Sequence, residues 1–518
     1  MKSSFISGAF ILMAAATVNR IIGFIYQALT YRLIGPEGVG LFNLVYPIYV
    51  LIIVMATAGI PLGISKLVSE EEARGNHRGS YQILGLAISI LIITGSTFSV
   101  ISYLIAPLLL KYIFINKMVY PVFLCLVPGV FIISVSSAFR GFFQGMMNMK
   151  PPAVGQIAEQ MFRVCIGFSL ALVLLPRGLQ WAAGGLAAAS VIGEIAGLIV
   201  LTVIFFRQRP RHLTISLPRI SICLEILRKL WDLCLPITLG RLAVTAMLSI
   251  DALLIPLMLK KTGCSVSTAT ALYGQLTGVV LTILFIPSVI TVSLATSLVP
   301  AISEAVAQNR LRLVRSRTTE ALRVTILAGI PFLAAYLVIP SQITGAIYGS
   351  WDSGQLLGIL ALGGMLAYIQ QTTTGILQGL GYPAIPLKNL LIGGTFKIMA
   401  ICSLLVLPGP GITRCTYAYN LYFFITAGLN LFSLQRLTGY SLSPQNDLIK
   451  PLLAGILTAL AYSSIYNFFY LLSKNNPVSV VTSLVLGFLC YLLTIILLGS
   501  LKESDYKRLP YISRIIKR

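Results

Sequence analysis

An all-α integral membrane protein of about fourteen transmembrane helices is the fold that this sequence predicts. Hydrophobic residues make up 57% of the 518 residues and charged residues only 10%, whereas roughly a quarter of the residues in soluble domains are charged. Apolar runs of about 20 residues, the length that crosses the hydrocarbon core of a bilayer, recur from one end of the chain to the other. Because so few polar groups cannot cover a globular surface in water, we expect lipid to surround the chain.

The apolar runs set the predicted spans. These cover residues 6–34, 41–65, 82–110, 119–143, 154–175, 182–206, 232–259, 271–302, 321–345, 355–380, 386–407, 412–435, 449–472 and 478–501. The first and eighth spans are longer than the bilayer requires, so we expect them to tilt, kink or extend beyond it.

The formal net charge of +23 has its explanation in topology. Lysines and arginines collect in alternate loops, in the set that includes both chain ends, and few lie in the other loops. Since basic loops stay on the cytoplasmic side, we expect a multi-pass protein with cytoplasmic N- and C-termini. The basic residues are not interleaved with aromatic residues on one soluble face, so nucleic acid is not an expected partner.

The most basic loop divides the chain into related parts, and an internal repeat supports the division. The pattern G-x-x-Q-G closes the fourth span at residues 141–145 and the tenth at 375–379, and each following span carries a cation, Arg163 and Lys397. Two six-span halves in the same orientation form a parallel repeat. The predicted parts are an N-terminal lobe over 1–206, a cytoplasmic linker over 207–231, a C-terminal lobe over 232–436, and two further spans with a basic tail over 437–518.

No enzyme signature is present in the sequence. It has no phosphate-binding G-x-x-x-x-G-K-[ST] loop and no CxxC pair, and His77 and His212 fall in predicted loops, which argues against ATPase, metal and triad chemistry. We therefore expect neither catalysis nor a cofactor or metal. Transport would then be driven by an ion gradient, the membrane potential or consumption of the product.

Charged residues inside the spans are the candidate functional residues, because charge within a membrane is expensive and usually faces a cavity or a partner. The candidate substrate-binding cations are Arg20, Arg163, Arg241 and Lys397, and the candidate ion-coupling acids are Glu159, Glu194 and Asp251. Glu159 and Arg163 lie four residues apart on one helix face, so they pair structurally or serve function. Arg32 and Arg140 lie near span ends, where we expect their side chains to reach the interface.

The charge balance favours an anionic substrate. The first span holds Arg20 near its middle and contains no acid, whereas a site for organic cations would need carboxylates there. Guanidinium groups offer several donors to phosphate oxygens. A diphosphate is therefore the favoured ligand, while Glu159, Glu194 and Asp251 keep proton or sodium coupling open.

Six segments resemble one family of transporters. They are 19–42, 59–70, 140–149, 159–163, 273–278 and 298–304. Together they resemble the stage V sporulation protein B group of polysaccharide-biosynthesis transporters, in the multidrug/oligosaccharidyl-lipid/polysaccharide (MOP) flippase superfamily.

The resemblance implies a fold and a function. It implies two six-helix lobes around a central cavity, two additional helices and location in the bacterial plasma membrane. It also implies movement of an undecaprenyl-diphosphate-linked saccharide, a peptidoglycan precursor for spore cortex or cell wall, from the inner to the outer leaflet by alternating access. Arg20 matches the first arginine of the cationic cavity in the related lipid II flippases, and Tyr26 stands where those relatives carry another arginine.

Two alternatives stay open at this point. A multidrug or cation antiporter of the same superfamily would need an essential buried acid. A non-transporting membrane scaffold for wall-synthesis enzymes, which are candidate partners, would tolerate replacement of the cavity arginines.

Overall fold

The computed structural model describes residues 5–210, 220–404 and 411–499, and for residues 5–10 and several positions near 220–236 it describes the backbone alone. Within these ranges the chain is helical and contains no β-strand. It divides into two compact units, Met1–Gly278 and Val279–Arg518. The all-helical membrane fold is as predicted. The lobe and linker boundaries drawn from the sequence stay a prediction.

The first unit contains eight α-helices in the described residues. They are α1 (Phe5–Thr57), α2 (Ile60–Ala73), α3 (His77–Tyr112), α4 (Tyr120–Gly145), α5 (Lys150–Leu174), α6 (Leu179–Gln208), α7 (Ile220–Lys261) and α8 (Val266–Gly274).

The second unit contains nine α-helices in the described residues. They are α9 (Leu281–Leu284), α10 (Ser288–Ala307), α11 (Leu311–Val338), α12 (Pro340–Tyr348), α13 (Ser353–Gly379), α14 (Ala384–Leu404), α15 (Gly411–Thr438), α16 (Lys450–Ser473) and α17 (Asn476–Leu497).

Helix α1 runs through both of the first two predicted spans. It is 53 residues long and has one non-helical position, Gly35, with φ 70° and ψ −179°. Glycine reaches positive φ without steric cost, and the following Pro36 disfavours helical geometry at the residue before it. Gly35 therefore marks the kink between the predicted spans 6–34 and 41–65.

The eighth predicted span, 271–302, is divided in the structure. Helix α8 ends at Gly274, a π-helical segment covers Gln275–Val280, and α10 begins only at Ser288, after Pro287. Proline removes a helical hydrogen-bond donor and clashes with the preceding turn, which explains the second break. Thirteen helices in the described residues are long and apolar enough to cross a membrane, close to the fourteen predicted.

An aromatic core fixes α4 against α6 in the first unit. The ring of Phe205 on α6 lies 5.4 Å from the ring of Phe139 and 5.6 Å from the ring of Phe142, both on α4, measured between centroids. Both contacts are edge-to-face, an arrangement that aromatic pairs favour. This packing holds in place the two helices that carry Arg140 and Glu194.

Candidate functional site

A network of four charged side chains joins three helices of the first unit. The Nη2 atom of Arg140 on α4 donates to Glu159 Oε2 on α5 at 2.9 Å and to Glu194 Oε2 on α6 at 3.1 Å. The Nη2 atom of Arg163, also on α5, donates to Glu159 Oε1 at 2.6 Å and lies 3.5 Å from Glu194 Oε1. Each carboxylate thus bridges both guanidinium groups.

The local sequence explains how α5 and α6 come close enough for these contacts. Glu159 and Arg163 share a face of α5 because they lie four residues apart. Gly193 and Gly197 flank Glu194 on α6, and a Cβ atom at Gly193 would lie 2.7 Å from the backbone oxygen of Glu159. Small residues at such positions let the backbones of membrane helices approach closely.

The network is buried and has no net charge. The side chains of Arg140 and Arg163 are 24% and 23% exposed, and those of Glu159 and Glu194 are 13% and 9% exposed. Buried charges persist when they are paired and hydrogen-bonded, and here two cations meet two anions. The charge of Arg163 is therefore already balanced within the protein.

A polar cavity of about 310 Å³ lies beside the network. It is lined by Asn19, Gly23, Tyr26, Gln27, Thr30, Val39, Phe42, Asn43, Tyr46, Gln160, Arg163, Leu186 and Ser190. Helix α1 supplies most of this wall. Asn19, Gly23, Tyr26 and Thr30 recur at intervals of four, three and four residues, the spacing of a single helix face.

Two hydrogen bonds fasten the cavity face of α1 to the end of the first unit. Gln27 Nε2 donates to the carbonyl oxygen of Gly278 at 3.0 Å, and Asn43 Nδ2 donates to Thr277 Oγ1 at 2.9 Å. Thr277 and Gly278 belong to the π-helical segment that follows α8. Such segments are frequent at functional sites, and this one supports the cavity wall.

The structure places the predicted residues in different environments. It brings Glu159, Arg163 and Glu194 together. Arg20 and Arg241 are exposed on α1 and α7, and Arg20 forms no ion pair with any residue that the structure describes. Asp251 on α7 is buried, and its carboxylate interacts electrostatically with Tyr273 of α8.

Lys397 is buried in the second unit, on α14. Its Nζ atom lies over the rings of Tyr419 and Tyr422 of α15, 4.8 Å and 5.0 Å from their centroids. These distances are typical of cation–π contacts. The rings shield a cation that would otherwise be costly within the membrane.

Sequence reasoning missed the role of Arg140. The prediction that its side chain reaches the interface is wrong, because its guanidinium group binds Glu159 and Glu194 instead. Its position near a span end pointed to the interface, and its partners lie on other helices.

In the residues that the structure describes, no group of three or more His, Cys, Asp or Glu side chains is placed to hold a metal ion.

Comparison with known proteins identifies the family. The model of the family described as "Polysaccharide biosynthesis protein" matches residues 5–306, which include the whole network and cavity. The chain belongs to this family. The resemblance expected from the sequence is confirmed.

Two relatives from Bacillus subtilis (strain 168) match along most or all of the chain. Stage V sporulation protein B is 29% identical over 518 residues, covering 100% of both chains. The lipid II flippase MurJ is 25% identical over 421 residues, covering 77% of each chain. Because the alignment with stage V sporulation protein B covers both chains completely, the similarity extends over the whole chain.

Solved structures share the fold. The lipid II flippase MurJ in an inward closed conformation superposes with a TM-score of 0.66 at 14% identity, covering 96% of this chain and 99% of that one. An inward-facing multidrug resistance MATE family transporter of the MOP superfamily gives 0.70 at 14% identity, covering 81% and 95%. These likenesses show a shared fold, and the thirteen apolar helices of the described residues are those of a multi-pass membrane protein.

Proposed function

We propose that the protein is a flippase that moves an undecaprenyl-diphosphate-linked saccharide, a peptidoglycan precursor for spore cortex or cell wall, from the inner to the outer leaflet by alternating access. The observation that carries the proposal is a polar cavity built between membrane helices of a chain in this family. Its two relatives named for sporulation and for lipid II flipping support the cargo class. The bacterial plasma membrane is the location that this activity requires.

Arg20 is the proposed first contact of the diphosphate. It is exposed on α1 next to the cavity residue Asn19, and it has no ion-pair partner among the described residues. A guanidinium group in this state has all its donors available to phosphate oxygens. Arg241 on α7 and Lys397 in the second unit are the further anion contacts that we propose. Arg163 lines the cavity while it is paired with Glu159 and Glu194.

The antiporter alternative depends on a buried acid. Glu159 and Glu194 are each bonded to two arginines, so a cation that entered there would compete with guanidinium groups already in place. Asp251, buried on α7, is the candidate ion-coupling acid that lies outside the network. We propose Glu159, Glu194 and Asp251 as ion-coupling residues of the flippase, and an antiporter would need Asp251 for its substrate. A scaffold that only recruits wall-synthesis enzymes would need none of these charges.

The test is rescue of bacteria depleted of their lipid II flippases. The parent protein, Arg20→Ala and the matched control Arg32→Ala are expressed at equal membrane abundance, and precursor exposed on the outer leaflet is measured. We expect export by the parent and by Arg32→Ala, which alters an exposed arginine of the same helix, and loss of export in Arg20→Ala. Export by all three would remove Arg20 from the site. Export by none would overturn the proposed cargo, and an Asp251→Asn drug-efflux assay would then test the antiporter.

A further inference from the structure

The cavity of the first unit is polar but contains no uncompensated charge. Side-chain amides and hydroxyl groups form most of its polar wall, and Arg163 is its one charged lining residue. Because Glu159 and Glu194 balance Arg163, the cavity offers no net attraction to a diphosphate. It contains no carboxylate that would attract a cation. A neutral group rich in hydrogen-bonding partners fits this wall best.

The shape and the aromatic part of the wall fit a sugar. A volume of about 310 Å³ lies at the lower end of small-molecule sites, roughly 300–1,000 Å³, so the cavity suits a small head group and excludes a polyprenyl chain. Phe42 and Tyr46 form a stacked pair with ring centroids 5.3 Å apart. Their rings present an apolar surface to the C–H face of a sugar, while the amides reach its hydroxyl groups.

Three buried polar atoms in residues of this wall have no hydrogen-bond partner within the described protein. They are Asn19 Oδ1, Tyr26 Oη and Arg163 Nε. Unsatisfied buried polar groups cost free energy, roughly 1–3 kcal/mol each, and native proteins contain few of them. A ligand with several hydroxyl groups supplies partners for such side chains when they turn toward the cavity.

The cavity lies next to Arg20, so one substrate could place its sugar in the cavity and its diphosphate at Arg20. Asn19 lines the cavity and Arg20 is the next residue of α1, about 3.8 Å away between Cα atoms. In the substrate the sugar is joined to its diphosphate through one oxygen atom, so the two groups must bind side by side. We propose that the cavity receives the saccharide of the lipid-linked substrate, while the diphosphate stays outside it at Arg20. This inference rests on the proposed function.

The experiment separates the two subsites with two probes. Full-length protein in nanodiscs is titrated with farnesyl diphosphate and with the same lipid carrying N-acetylglucosamine on its terminal phosphate. We expect the parent protein to bind the saccharide probe about 10-fold more tightly, since each tenfold corresponds to about 1.4 kcal/mol and one or two new hydrogen bonds supply that much.

Two variants address the saccharide alone. Gly23→Leu fills the cavity from α1, where a Cβ atom makes ordinary contact at 3.4 Å with Gln160 Nε2, and Asn19→Leu removes the amide whose Oδ1 atom has no hydrogen-bond partner in the described protein. In both, we expect the 10-fold preference to disappear while the affinity for farnesyl diphosphate stays within about 2-fold. The matched control Gly428→Leu, at a helical glycine with nothing within 4 Å of its Cβ position, should keep the preference. Arg20→Ala should weaken both probes equally and keep their ratio.

Each contrary result has one meaning. Equal binding of the two probes by the parent would overturn the saccharide site and leave the flippase proposal standing. Equal weakening of both probes by Gly23→Leu would also overturn it, because the cavity would then hold the diphosphate. Binding of neither probe would overturn the saccharide site and the proposed function together.

Discussion

Arg140 and Glu194 are 54 residues apart in the chain and 3.1 Å apart in the structure. Their contact ties α4 to α6, while Glu159 and Arg163 bring α5 into the same network. Three membrane helices therefore meet at four charges that neutralise one another. Since a buried charge that loses its partner is strongly destabilising, the network makes each of its members necessary to the others.

The effects of removing Arg140 and Glu194 on the stability of the first unit should not be additive. We expect Arg140→Gln and Glu194→Gln each to lower the free energy of unfolding by about 3 kcal/mol, because each leaves an uncompensated charge. The double variant should lose less than the sum, with a coupling of roughly 1–3 kcal/mol. Unfolding of the purified protein in detergent measures all four states. The surface pair Lys66 and Glu70, 4.0 Å apart, provides the control, and its coupling should stay below about 1 kcal/mol. Strict additivity at Arg140 and Glu194 would refute an energetic role for their contact.

Close approach of α5 and α6 should be sensitive to a single methyl group. A Cβ atom at Gly193 would lie 2.7 Å from the backbone oxygen of Glu159, whereas at Gly428 nothing lies within 4 Å. We expect Gly193→Ala to lower thermal stability, since the clash separates the helices that carry the network. Gly428→Ala should be neutral or raise stability by up to about 1 kcal/mol, because alanine favours helix over glycine. Thermal unfolding of both variants tests this pair, and equal effects would contradict the close packing.

A buried ion pair in the second unit should hold the start of α16. Arg323 Nε on α11 lies 3.4 Å from Asp447 Oδ1, and the two side chains are 4% and 1% exposed. Asp447 Oδ2 also accepts the backbone N–H of Ser443 at 2.7 Å. We expect Arg323→Met to cost about 3–5 kcal/mol of stability, and Arg323→Met with Asp447→Leu to recover part of it. The exposed Arg310 supplies the control, Arg310→Met, which should have little effect. No recovery in the double variant would show that the carboxylate matters through Ser443 alone.

The predicted topology can be measured with single cysteines. In a background whose native cysteines are replaced by serine, we expect Arg177→Cys to react with a membrane-impermeant maleimide added to intact cells. Arg310→Cys should react only after the membrane is opened, because basic loops stay cytoplasmic. The cysteine-free parent is the control for background labelling. Reaction of Arg310→Cys in intact cells would reverse the predicted orientation.

Periodicity predicted part of the site and no more. The spacing of Glu159 and Arg163 was sufficient to place them on one face of α5, and their pairing is present at 2.6 Å. The partners on α4 and α6 depend on how three helices pack, and hydropathy says nothing of that packing. Arg140 was therefore assigned to the interface. Asp447 was overlooked because it follows α15 in a segment that sequence reading treats as a loop.

The sequence predicted the break at Gly35 as a boundary between spans, whereas the break at Pro287 lies inside the predicted span 271–302. The boundary near residue 35 is visible as Gly35 followed by Pro36. The π-helical segment Gln275–Val280 contains Gly278 but no proline, and it continues the apolar run of the predicted span 271–302. It is held by Gln27 and Asn43, which lie far away in the chain. Long-range polar contacts of this kind are invisible to a local pattern.

The predicted repeat allows the network to be compared with the corresponding helices of the second unit. In its register, Thr374 on α13 corresponds to Arg140. Thr374 accepts a hydrogen bond from Asn430 of α15, which in turn accepts one from Asn389 of α14, at 3.3 Å and 2.9 Å. Neutral side chains thus join α13, α14 and α15 in the second unit. Lys397, which corresponds to Arg163, adds a cation–π contact between α14 and α15, so the two units join corresponding helices with different polar groups.

Electrical neutrality of the four-residue network also determines how the protein responds to voltage. Moving one elementary charge through a membrane potential changes its energy by about 2.3 kcal/mol per 100 mV. The two arginines and two glutamates of the network on α4, α5 and α6 have no net charge together, so their joint displacement does no net electrical work. Arg20 has no such counter-charge among the described residues. If Arg20 binds the anion as proposed, the electric field acts on Arg20 and on that anion, whereas the four residues of the network add no net charge for it to act on.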